Sequence, residues 1–72
     1  MKNSRFARSQ AAHKRLCNTY SSKGSSDKNR ALGNYHAEVY DRQRSAGKVL
    51  SRTERKKIFS WWWNYETKHL NR

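Results

Sequence analysis

The sequence predicts a small all-α protein, an antiparallel three-helix bundle with an aromatic core. Three segments repeat apolar residues at helical spacing, only short connections separate them, and a capping box marks the start of the third. The chain has 72 residues and no proline. That length suits a single domain over residues 1–72, and such a chain buries only about 60% of its unfolded surface, so its stability is marginal. Three tryptophans, four tyrosines and two phenylalanines carry the buried area that 33% hydrophobic content alone would not.

The first helix is predicted over about residues 4–21. Phe6, His13, Cys17 and Tyr20 share one face with Leu16 at its edge, while Arg8, Lys14, Arg15 and Thr19 point elsewhere. The run Ser21-Ser22-Lys23-Gly24-Ser25-Ser26 is a flexible connection. Ser26 or Asp27 then caps a second helix, about 27–46, whose face holds Leu32, Tyr35, His36, Val39, Gln43 and Ala46, with Tyr40 flanking it. Glu38 and Arg42 form an i, i+4 pair, and Gly47 is placed to end the helix in the left-handed conformation.

Ser51-Arg52-Thr53-Glu54 is the capping box, in which the serine accepts from the Glu54 amide and the glutamate from the Ser51 amide. The third helix runs from there to about Leu70, with Ile58, Trp61, Trp62, Tyr65 and His69 on one stripe. The core assembled from these faces is Phe6, Leu16, Tyr20, Leu32, Tyr35, Val39, Ile58, Trp61, Trp62 and Tyr65.

Charge is the strongest functional signal. Seventeen lysines and arginines against five acids give a net charge of +12, and such a field steers a protein toward polyanions. Ordinary solvated faces mix both signs, whereas this chain does not neutralise itself. Nucleic acid is the expected partner, bound mainly through its phosphates. An anionic membrane would call for one amphipathic helix with basic residues bordering a bulky apolar face; here the charge is spread over the chain. No stretch approaches the ~20 apolar residues of a membrane span. The N-terminal sequence lacks the apolar segment of a signal peptide, and Cys17 is alone, so a reducing, cytoplasmic setting is expected.

The candidate nucleic-acid-binding residues are Arg5, Arg8, Lys14 and Arg15 in the first helix and Arg52, Arg55, Lys56 and Lys57 in the third. Lys23, Lys28, Arg42, Arg44 and Lys48 form smaller groups between them. Successive residues on a helix point about 100° apart, so Trp61, Trp62 and Trp63 cannot share one stripe. Trp63 aligns with Phe59 and Leu70 on an adjoining face approached by Arg52, Arg55 and Lys56, where base stacking and phosphate neutralisation could combine. Phe59 and Trp63 are therefore the aromatic ligand candidates, and Trp61 and Trp62 are assigned to structure. All three tryptophans become core if the third helix is the central one, packed by the first and second on two faces.

Other chemistries are poorly served. A helix-turn-helix would place Gly47 in its turn, but its recognition helix would carry tryptophan and isoleucine along its middle. With no polar reading helix, RNA is favoured over DNA. His13, Cys17, His36 and His69 could converge at one end of a bundle as a zinc set, although their spacing matches no short zinc motif and separate semi-buried roles are the simpler reading. No cofactor is expected. Of the five acids Glu54 is engaged in the cap and Glu38 with Arg42, leaving no carboxylate pair, and no phosphate-cradling glycine loop occurs, so an enzyme is not expected. The alternative to nucleic acid is an acidic protein surface, steered to by the same charge and anchored by an exposed Trp63.

Overall fold

The computed structural model describes residues 5–24 and 26–68 and consists of α1 (Arg5–Ser22), α2 (Asp27–Ala46) and α3 (Arg52–Thr67). The expected helix start at Ser4 and the roles expected of His69 and Leu70 lie outside the described residues. Each boundary has a local cause. Ser26 caps α2, its hydroxyl accepting from the Asn29 amide at 3.2 Å. Gly47 ends α2 at φ 72°, where its amide donates to the Gln43 carbonyl at 2.7 Å, a conformation open to glycine without a Cβ penalty. The capping box of α3 is complete: Glu54 N donates to Ser51 Oγ and Ser51 N to Glu54 Oε1, both at 3.1 Å.

The helices run antiparallel in order. Gln10 pairs with Tyr40 and His13 with His36; Asn34 pairs with Glu66 and Glu38 with Trp62. Among the described residues α1 packs on α2 and α3 packs on α2, with no close backbone approach between α1 and α3. The central helix is therefore α2, not α3, and the molecule is a slab of 49 × 25 × 16 Å. Among the described residues the buried apolar ones are few: Ala31, Val39 and Ile58. Phe6, Leu16, Tyr20, Leu32, Tyr35 and Trp62 are half-buried, while Trp61 and Tyr65, expected in the core, are 57% and 54% exposed. The reason is geometric. With α2 as its only neighbour, α3 buries a stripe through Ile58 and Trp62, and residues one step farther around the helix meet solvent.

The α1–α2 interface is polar at both of its fixed points. Gln43 is completely buried, its Nε2 donating to Ser9 Oγ at 3.1 Å and Gln10 Oε1 at 2.9 Å while its Oε1 accepts from the Leu50 amide at 3.0 Å. One side chain thus ties α1 to α2 and pins the α2–α3 turn. Farther along, His13 Nδ1 and His36 Nδ1 stand 2.9 Å apart, so one ring donates and the other must accept as the opposite neutral tautomer. Tyr20 stacks on His36 at 5.9 Å and 5°, and Tyr35 lies beside both imidazoles. Burial, reinforced by the charge of Arg55, lowers the His13 pKa; burial, reinforced by His13, lowers that of His36 to about 4.

Two outcomes are expected. Gln43→Ala leaves the Leu50 amide without its acceptor and opens a void, and should lower the unfolding free energy by about 2–4 kcal/mol in urea titrations. Because the folded pKa of His36 lies below its unfolded value of 6.5, the folded chain binds fewer protons between the two. Stability should be full above pH 6.5 and fall by roughly 2–3 kcal/mol as the pH drops toward 4, and His36→Gln should flatten that dependence.

Candidate nucleic-acid interface

Four of the five acids are engaged within the α2–α3 framework. Glu66 accepts from Arg30 Nε at 3.1 Å and Asn34 Nδ2 at 3.0 Å, and Asp27 also pairs with Arg30. Glu38 binds Arg42 on one oxygen and Trp62 Nε1 on the other, both at 2.6 Å. Glu54 is held in its cap, where hydrogen bonds from the Ser51 backbone and side chain, with Lys48 and Lys57 nearby, keep its pKa below the ordinary carboxylate value. The segment Arg5–Ser22 contains no acid. Its cations Arg5, Arg8, Lys14 and Arg15 are all exposed.

The predicted residues divide among three surfaces. Lys14 and Arg15 line a shallow depression along α1 with Asn18, Thr19 and Lys23. On α3, Arg52, Arg55, Lys56 and Phe59 surround a cleft of about 310 Å³ with Tyr35 of α2. Phe59 meets Tyr35 edge-on at 5.5 Å and Trp63 at 5.6 Å, so Trp63 extends the aromatic wall of that cleft. Arg52 and Lys56 are exposed, whereas Arg55 is half-buried with its Nε enclosed and without a hydrogen-bond partner. Lys57 faces away, into a second cleft of about 540 Å³ lined by Glu38, Arg42, Glu54, Ile58, Trp61 and Trp62.

Five predicted residues, Arg52, Arg55, Lys56, Phe59 and Trp63, thus form one basic and aromatic surface. Those of α1 occupy a separate edge, because the α2 residues that meet α1 (His36, Tyr40, Gln43) and those that meet α3 (Arg30, Asn34, Glu38) lie on opposing sides of α2.

The aromatic assignment of α3 is partly reversed. Phe59 and Trp63 are half-buried, Phe59 against Tyr35 and Trp63 against Phe59, while Trp61 and Tyr65 form the exposed rings. A sequence signal for this exists in the i, i+4 row Thr53, Lys57, Trp61, Tyr65, which begins with two polar residues and so marks the edge of the stripe. Of the possible zinc ligands, His13 and His36 meet, but Cys17 lies with Tyr40 and Asp41, and His69 is outside the described residues. No three metal-ligating side chains come together among the described residues, and no described helix is long and apolar enough to cross a membrane.

No protein-family model, curated protein or solved structure matches the chain.

The Trp62–Glu38 bond and the exposure of Trp61 make a paired expectation. Trp62→Phe should lower stability by about 1–2 kcal/mol by removing the charge-assisted bond, whereas Trp61→Phe should change it by less than about 0.5 kcal/mol, both read from thermal or urea unfolding.

Proposed function

We propose that this chain is a nucleic-acid-binding protein that works through phosphate contacts, with RNA the favoured form. The carrying observation is the separation of its charges: among the described residues, ion pairs engage Arg30 and Arg42, while Arg5, Arg8, Lys14, Arg15, Arg52 and Lys56 stand on exposed edges. Cations arranged in this way release condensed counterions from a phosphate backbone when they bind, and that release supplies affinity without a fixed motif. The preference for RNA follows from α3. Its faces are given to aromatic rings and to α2, which suits unpaired or irregular nucleic acid better than a major groove.

The role is one of binding rather than catalysis, since most of the acids already serve the fold, and the free Cys17 suits a reducing cytoplasm. An acidic protein surface would exploit the same field, and the test separates the two.

The test is fluorescence anisotropy of labelled single-stranded RNA, structured RNA and duplex DNA titrated across a salt series. RNA should bind most tightly, with log affinity falling linearly against log salt concentration. Reversing Arg8, Arg15, Arg52 and Lys56 together to glutamate should reduce affinity at moderate salt by at least about a hundredfold, and should flatten the slope by about one for each phosphate no longer neutralised. Absence of binding to all three ligands at low salt would refute the proposal and make an acidic protein the partner to pursue.

A further inference from the structure

The largest exposed apolar groups of the described chain are organised. Trp61 and Tyr65, one turn apart on α3, hold their rings parallel within 9° at a centroid separation of 5.1 Å. Trp62 stands edge-on to both, at 4.8 Å and 83° from Trp61 and 5.8 Å and 87° from Tyr65. Its indole is fixed to Glu38, so a ring anchored to α2 braces the two that face solvent. Lys68 Nζ lies 5.9 Å from the centre of the Tyr65 ring, and Trp61 forms part of the cleft that also carries Lys57 and Arg42. The surface therefore joins an aromatic stack more than half open to water with cations at both ends.

We propose that Trp61 and Tyr65 form a base-stacking platform for single-stranded nucleic acid, with Lys57 and Lys68 receiving the flanking phosphates. This deepens the nucleic-acid reading and rests on it. A base in a duplex has both faces covered, whereas an unpaired base offers a π-face that an exposed indole can take, and phosphates on either side of it match a cation on either side of the ring. The same rings lie near two carboxylates, an arrangement that could attract an organic cation. Here, however, Glu38 is already bound by Arg42 and Trp62, Glu54 is bound in its cap, and Arg42 and Lys57 line the same cleft. The platform is also distinct from the Phe59–Trp63 wall, whose rings are half-buried.

The test compares a short single-stranded RNA with an abasic strand of the same length and phosphate number, using the full chain. The wild type should bind the intact strand about tenfold or more tightly than the abasic one. Trp61→Ala, checked for its fold by circular dichroism, should remove that preference while leaving abasic binding and its salt slope in place; Tyr65→Ala should act likewise, and Trp61→Phe should retain most of the preference. Equal binding of both strands by the wild type would overturn the platform and leave the phosphate-contact reading standing. An equal loss of affinity toward both strands in a folded Trp61→Ala would overturn it too, as a base-independent role. Binding of neither strand at low salt would remove both.

Discussion

Among the described residues α2 has two neighbours whose backbones do not come close to each other, so one helix of 20 residues must supply both interfaces. The interhelical hydrogen bonds and ring contacts described above all have α2 on one side. Toward α1 it presents His36, Tyr40 and Gln43, and toward α3 it presents Arg30, Asn34 and Glu38. These are its hydrogen-bonding residues, and the apolar side chains it encloses are small, Ala31 and Val39. Specific hydrogen bonds set the register that an extensive hydrophobic core would otherwise set, and each buried partner must be satisfied because desolvating it alone is unfavourable. The interface is consequently sensitive to protonation at the His13–His36 pair and to truncation at Gln43.

The same constraint distributes the charge. Acids are drawn to α2 and its contact with α3 because they hold that interface together, through Glu38 to Trp62 and Glu66 to Arg30 and Asn34. α1 contributes rings, amides and hydroxyls to its own interface and contains no acid, and its arginines and lysines are exposed along one edge, with Asp41 of α2 beside Lys14. On α3 the basic N-terminal turns lead into the aromatic surfaces. A slab with cationic edges and exposed rings is suited to lying along a phosphate backbone, and its thin section makes much of the chain available as surface.

The parts of the fold governed by local chemistry were legible in the sequence. Ser26, Gly47 and the Ser51–Glu54 box fix helix ends within a few residues, and they do so in the structure as their residue types require. The Glu38–Arg42 pair and the inward positions of His13, His36, Val39 and Gln43 followed from helical periodicity in the same way. Periodicity could not say how many neighbours a face has. The stripe through Ile58, Trp61, Trp62 and Tyr65 is apolar enough to be flanked on two sides, but α3 has one neighbour, and Trp61 and Tyr65 are left outside. Nor does spacing reveal that Lys57 parts from Arg52 and Lys56: its direction follows from the turn angle, but the cleft it enters is made by α2. The cations grouped by sequence on α1 and α3 are separated for the same reason.

On the proposed reading, structural bonds hold Trp62 inside the fold while Trp61 and the cationic edges face a nucleic-acid strand. The most direct test of that reading is a two-dimensional ¹⁵N–¹H spectrum of the protein titrated with single-stranded RNA at low salt, in which each tryptophan contributes its own indole N–H signal. The Trp61 indole and the backbone amides around Arg8, Arg15, Arg52 and Lys57 should shift, with the Trp62 indole, bonded to Glu38, nearly still. Movement of Trp62 without Trp61, or a spectrum that RNA leaves unchanged, would contradict the claim.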